Sequence, residues 1–288
     1  MTGYEALHNG AAVVDLSARG RIRVTGEDRQ RLLHAMTTNH VQQLEPGQSL
    51  YAFFLNAQGR ILGDVYIYCA GDHLLLDLEP EVRGKIYAHL DRYIIADDVT
   101  LEDVTDATAE LAVAGPSAAA LKRGDVVFDT TLTGQPGFRV VAPASEKAAL
   151  LGGLREAGCV EATTEQARTV RIENGVPRYG EDFTEANLAQ ETGLMHALHF
   201  NKGCYLGQEI VERVRSRGHV NKTLRALRIE AAEAPAAGTK VLSAGKEAGE
   251  ITSAAYSPAQ NCVRALAYLR AVESLTVAGA PAQAVQQR

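Results

Sequence analysis

Apolar positions along this chain switch between a period of two and a period of three to four, and the switches predict the elements. Residues 21–24 alternate as a strand after a turn at 15–20. Residues 29–36 read as a helix, with Thr25 and Asp28 arranged like a capping box. Residues 51–55 and 61–68 are apolar or alternating runs that flank the turn-rich stretch Asn56-Ala57-Gln58-Gly59-Arg60, which predicts a hairpin. A third strand is expected over 73–78. Residues 81–93 then carry Val82, Ile86, Leu90 and Tyr93 at helical spacing. Strands with a helix on one face make an α+β unit.

From Leu111 the order returns as a pattern, without sequence repetition. A strand, a helix start at Gly115-Pro116-Ser117, strands over 126–131 and 138–141, and a helix over 146–157 are expected. Another helix over 166–173 runs into the loop Asn174-Gly175-Val176-Pro177. After Asn221 the texture becomes short alternating runs over 224–229, 240–242, 249–255 and 262–268, a pattern that suggests a small β-barrel. Residues 231–238 read as a loop within it and 279–288 as a frayed end. The expected organisation is α+β: one module over 1–105, a second over 106–220 and an antiparallel barrel over 221–288, with modules that can be discontinuous.

A length of 288 residues fits two or three compact units, since domains usually run ~100–150 residues. No stretch approaches ~20 consecutive apolar residues, and the N-terminus lacks the design of a signal peptide. A cytoplasmic, monomeric protein without membrane contact is expected. The net charge of −6 argues against a dedicated nucleic-acid binder. The cluster Arg213, Arg215, Arg217 and Lys222 reads as a solvated face. The four cysteines have no C-x-x-C spacing, which disfavours a disulfide framework or a metal cage. Cys69 and Cys262 read as small core residues. His196 and His199 lie three apart but lack further metal ligands nearby in sequence.

The densest chemistry lies in Lys202-Gly203-Cys204-Tyr205-Leu206-Gly207-Gln208-Glu209, closed by Arg213. A helix is expected to begin near Gly207 and to end before Gly218. Cys204 would then precede a helix N-terminus with Lys202 two residues away, and both features favour a thiolate. This segment resembles the K-G-C-Y-x-G-Q-E-x-x-x-R signature of the YgfZ family, folate-binding relatives of the glycine cleavage T-protein. Every fixed position is matched, and only this segment is highly specific. The resemblance implies two α+β modules and a β-barrel around a central folate site.

A reduced folate needs a buried carboxylate for its N–H-rich ring edge, aromatic walls, and a cation for its anionic tail. Candidate carboxylates are Asp64, Glu173 and Glu191. Arg168, Arg171 and Arg178 are candidates for the tail, and Tyr51, Phe53, Phe54, Tyr66 and Tyr205 for walls, although each of these residue types is as readily surface or core. The stretch from Asn56 to Asp64 looks like a T-protein stretch ending in an Asp-Asp pair, with Gly63 in place of the first acid. Arg139 stands where T-proteins carry a Glu that grips the pterin. Arg171-Ile172-Glu173-Asn174-Gly175 keeps the Arg-x-Glu-x-Gly pattern.

The resemblance implies a tetrahydrofolate-binding accessory protein for iron–sulfur cluster assembly or repair, with iron–sulfur clients and an indirect link to tRNA modification. Cys204 and Lys202 would then act chemically. Asp64, Arg171, Glu173, Glu191, Tyr205, Gln208 and Arg213 would shape the folate site. The competing reading is a folate-dependent aminomethyltransferase, against which Gly63 and Arg139 count.

Overall fold

The chain opens with helix α1 (Gly3–Asn9), strand β1 (Ala12–Asp15), β2 (Gly20–Thr25) and helix α2 (Arg29–Met36). The computed structural model describes residues 1–122, 126–218, 220–270 and 272–285. A hairpin of β3 (Ser49–Leu55) and β4 (Ile61–Cys69) leads to β5 (Leu74–Leu78), helix α3 (Arg83–Tyr93) and β6 (Thr100–Asp103). Next come β7 (Thr108–Ala114), β8 (Val126–Phe128), β9 (Gly137–Pro143), helix α4 (Lys147–Glu156), β10 (Val160–Glu161) and helix α5 (Thr164–Glu173). Helix α6 (Gln208–Arg217) precedes six strands: β11 (Thr223–Ile229), β12 (Lys240–Ser243), β13 (Lys246–Ser257), β14 (Cys262–Leu269), β15 (Leu275–Val277) and β16 (Ala280–Val285).

The first sheet runs β3-β4-β5-β2-β6. Its strands alternate, so one face carries Ala52, Phe54, Val65 and Ile67 into a core shared with Leu33 of α2 and with Ile86 and Leu90 of α3. The other face turns Tyr51, Asp64, Tyr66 and Asp77 toward the second sheet. Register sets this arrangement: Tyr51 sits opposite Tyr66 and Phe53 opposite Asp64. The capping box expected at Thr25 and Asp28 is not formed. Thr25 stays in β2 opposite Thr100. Asp28 occupies the cap position without capping; its carboxylate instead accepts from the Asp98 N–H at 2.9 Å and pairs with Arg31.

The second sheet runs β10-β1-β7-β9-β8. Residues 12–15, from the start of the chain, lie between β10 and β7. Both faces are covered. Val13, Val113 and Phe138 pack with Leu154 of α4, while Ala12, Val14 and Ala114 pack with Leu7 of α1 and Val170 of α5. The helix start expected at 115–117 amounts to a 3-10 turn over Ala118–Leu121, and the strand expected over 126–131 stops at Phe128.

An ionic network crosses between the sheets. The Arg139 guanidinium, fully buried on β9, donates through Nη1 to Asp77 of β5 and to Glu110 of β7. Arg19 forks onto Asp77 at 2.7 and 3.0 Å. Paired charges of this kind are costly to bury and still costlier to leave half-removed, by about 3–5 kcal/mol.

The C-terminal strands close into a six-stranded antiparallel barrel, β11-β14-β13-β12-β15-β16. Leu227, Ile229, Val241, Ile251, Val263 and Leu269 fill it. The end expected to fray is a strand as far as it is described: Ala280–Val285 pairs with β11 and β15, while residues 286–288 lie outside the described part. Its small side chains give a weak alternating signal. The backbone of β11 nevertheless needs a partner on that edge, and closure supplies one. The barrel docks through Asp182, whose Oδ1 accepts from Thr252 at 2.7 Å and Ser253 at 2.6 Å. No helix among the described residues is long and apolar enough to cross a membrane.

Candidate functional site

A cavity of about 390 Å³ opens where the first sheet, the β1 end, the Thr131–Thr133 segment and α5 meet. Asp64, Tyr51, Tyr66, Arg19 and Glu79 line it together with Arg168, Arg171 and Arg178. Asp64 is 6 % exposed. Its Oδ2 accepts the Tyr51 hydroxyl at 2.9 Å, and its Oδ1 has no hydrogen-bond partner. Burial raises the Asp64 carboxyl to about 7, with the Glu79 charge adding and Arg19 opposing. The Tyr51 and Tyr66 rings lie 4.7 Å apart at the cavity wall. The site is therefore an apolar-walled cleft with one protonatable carboxyl that still lacks a donor.

Of the aromatic residues expected as walls, Tyr51 and Tyr66 take that place. Phe54 faces α3, with its ring against His89. Phe53 packs against Phe183, and Tyr205 lies elsewhere. The three arginines expected for an anionic tail line the cavity but are already engaged. Arg168 donates to Glu181 at 2.8 and 2.5 Å. Arg171 donates to Asp182 and Glu181 at 2.6 Å each. Arg178 reaches Glu79 and Glu81, at 2.8 Å each.

Glu173 and Glu191 do not join this cavity. Glu173 accepts from the Tyr4 hydroxyl at 2.5 Å and meets His8 Nε2 at 2.8 Å, tying α1 to α5. Helical geometry explains the separation, because Arg171 and Glu173 are two residues apart and point to different sides. Glu191 Oε2 accepts from the Leu188 N–H at 3.1 Å and the Asn187 side-chain amide at 3.4 Å, closing its own turn.

Residue 63 belongs to the face of β4 opposite Asp64. A Cβ there would lie 3.3 Å from Ile86 and from Val82, inside the α3 packing. The absence of an acid at Gly63 therefore removes nothing from the cavity, and the weight it carried against transfer chemistry is withdrawn. Arg139 does not line the cavity either. It is held beneath it between the Tyr66 and Phe128 rings, at 4.6 and 4.5 Å.

The signature segment forms a second, separate locality, and none of Lys202, Cys204, Tyr205, Gln208 and Arg213 lines the cavity. Lys202 is buried. Its Nζ donates to the carbonyls of His34 and, at 2.9 Å, Thr37, which terminate α2. His34 Nε2 meets the Lys202 carbonyl at 2.7 Å in return. Burial pushes the Lys202 ammonium down to about 8, and the Cys204 charge opposes that shift. Cys204 is exposed, whereas Cys69, Cys159 and Cys262 are buried.

Gln208 Oε1 accepts the Tyr205 N–H at 3.0 Å and so turns the chain into α6. Gly207 has φ +83°, and a Cβ there would meet the Asn56 carbonyl at 2.6 Å, so only glycine fits this approach to the β3–β4 turn. Arg213 is exposed on α6. His196 lies against Tyr51 and His199 against His40. Among the described residues no group of three or more His, Cys, Asp or Glu is arranged to hold a metal.

Arg19 and Glu79, which set the charge around Asp64, escape a reading of the sequence. Each flanks a strand end, and only the packing of β2 and β5 brings them together. The match to known proteins follows the same architecture. Residues 2–124 match the GCVT N-terminal domain, and residues 222–286 match the glycine cleavage T-protein C-terminal barrel domain. The aminomethyltransferase of Rubrobacter xylanophilus is 30 % identical over 290 residues, spanning 92 % of this chain and 78 % of that protein. A putative chloroplastic transferase of Arabidopsis thaliana is 29 % identical, spanning 86 % of this chain and 63 % of that protein. The glycine cleavage system aminomethyltransferase T from Bartonella henselae superposes with a TM-score of 0.85 at 20 % identity, covering 99 % of this chain and 89 % of that one. The chain therefore belongs to the glycine cleavage T-protein family.

Proposed function

We propose that the central cavity binds a reduced folate and that the protein acts in folate-dependent one-carbon transfer of the aminomethyltransferase type. The observation that carries this reading is the unpartnered Oδ1 of buried Asp64 in an aromatic-walled cavity of about 390 Å³. That oxygen suits an N–H donor of the folate ring system, and the Tyr51 and Tyr66 rings suit its flat body. Arg168, Arg171 and Arg178 would share an anionic tail with the carboxylates they already hold. When bound, a reduced folate supplies the amine that takes up a one-carbon unit.

The residues of the chain have distinct parts. Tyr51 donates to Asp64 Oδ2 and leaves Oδ1 facing the ligand. Asp64 orients an amine and, when ionised, stabilises positive charge that develops on it in a site where water screens little. The test supplies an aminomethyl-loaded carrier protein with tetrahydrofolate and measures methylene-tetrahydrofolate, with folate affinity measured separately by calorimetry. Turnover that Asp64→Asn abolishes supports the reading. Wild type that binds no folate overturns it.

One observation favours a second reading, an accessory role in iron–sulfur cluster assembly or repair with an indirect effect on tRNA modification. Cys204 is exposed, within a segment that matches the YgfZ signature at every fixed position and lies apart from the cavity. Complementation of a strain lacking its YgfZ-like protein, scored by tRNA thiolation, tests it. Rescue by wild type but not by folded Cys204→Ala supports this second reading, and no rescue by wild type removes it.

A further inference from the structure

A smaller pocket of about 150 Å³ lies on the barrel, far in chain and composition from the folate cavity, and Lys222, Lys240, Glu247, Gly249, Glu250, Tyr268 and Arg270 line it. Strand pairing assembles it. Thr223 is opposite Leu269, and Lys222 and Arg270 are the next residues along the chain beyond these paired ends of β11 and β14. β13 and β12 bring Glu250 opposite Lys240.

The charges of this pocket are unevenly satisfied. Lys240 holds both acids, Glu247 at 3.1 Å and Glu250 at 3.3 Å. Among the described residues no carboxylate comes within about 4 Å of the charged ends of Lys222 or Arg270, the reach of an ion pair. Lys222 Nζ instead sits 4.6 Å above the Tyr268 ring. Tyr268 is 4 % exposed, and its hydroxyl has no hydrogen-bond partner. Burial raises this phenol far above its ordinary value, with Glu191 and Asp182 adding, and neither of those acids lines the pocket. Two cations without a carboxylate partner face a space of about 150 Å³, large enough for one anionic group.

We propose that this pocket is a binding site for a small oxyanion, phosphate or carboxylate, held by Lys222 and Arg270. Arg270 offers a fork suited to two oxygens and Lys222 a point charge. The site stands independently of the folate cavity and of any activity there.

The test titrates the full chain with inorganic phosphate, with acetate and with chloride at constant ionic strength, following backbone amide shifts of residues 222, 249 and 270. Saturable phosphate or acetate binding that chloride does not reproduce is expected, and the stronger of the two identifies the class. Lys222→Gln with Arg270→Gln should weaken it at least about tenfold. Asp64→Asn should leave it unchanged, which separates this site from the cavity. A folded double variant that binds like wild type, or a wild type that does not saturate, overturns the proposal.

Discussion

Tyr51 donates its hydroxyl hydrogen to Asp64 Oδ2 at 2.9 Å, and the other oxygen of the same carboxyl has no partner. The two residues form a diagonal pair on neighbouring strands, since Tyr51 is opposite Tyr66 and Asp64 opposite Phe53. Tyr51→Phe would remove the one side-chain hydrogen bond that favours the ionised form, so the Asp64 carboxyl should rise further. The rising limb of a pH–rate profile, expected near 7 for wild type, should move to higher pH in this variant.

Stability should carry the same signature. The Asp64 carboxyl is raised from 3.8 to about 7 in the folded protein. Between those values the folded state keeps the proton that the unfolded chain releases, so the Asp64 contribution falls as pH rises from about 4 to 7 and then levels. Asp64→Asn removes that dependence. The variant should gain on wild type by about 2–4 kcal/mol between pH 4 and pH 8, because each pH unit spent between the two values is worth about 1.4 kcal/mol. Urea unfolding at both pH values measures it, and a variant that loses ground to wild type as pH rises contradicts the assignment.

Gly63→Asp tests the two faces of β4. Its carboxylate would enter the packing of Ile86 and Val82, both in contact with the position at 3.3 Å. Destabilisation of about 3 kcal/mol is expected from burying an unpaired polar group. Ligand affinity in the cavity should not rise, because the new acid would not reach it.

Arg139→Leu should be among the most damaging single changes. It leaves Asp77 and Glu110 buried without the cation that bridges them, at a cost of about 3–5 kcal/mol. Arg139→Glu, which restores the acid type of the T-protein pattern, should be worse, since it brings a third carboxylate to the same place. Thermal unfolding of the purified variants decides the order.

Lys202→Met and Cys204→Ala should separate cleanly despite being two residues apart. Lys202→Met strips the donor from the His34 and Thr37 carbonyls and should cost about 1–3 kcal/mol. Cys204 is exposed, so its replacement by Ala should stay within about 0.5 kcal/mol. Any cellular defect of Cys204→Ala would then be chemical, whereas a defect of Lys202→Met has to be corrected for the loss of fold.

The sequence by itself determined most of the longer elements and the dense chemistry of residues 202–213, because both are local, whereas α1, β1, β6, β10, β15 and β16 were not expected from it. Alternation marked the β3–β4 hairpin and most barrel strands, helical spacing marked α3, and Gly207 marked the start of α6. Asp64 was legible as a candidate carboxylate, and so were the wall tyrosines. Tertiary structure alone decided which face of β4 enters the cavity, since a period of two fixes two faces but not which is inside. It also withdrew Glu173 and Glu191 to structural hydrogen bonds, engaged the three arginines with carboxylates, added Arg19 and Glu79, and set Cys204 apart from the folate candidates. Most of these depend on contacts between residues tens to hundreds of positions apart. Burial and pairing there are properties of the assembled sheets, and no local pattern encodes them.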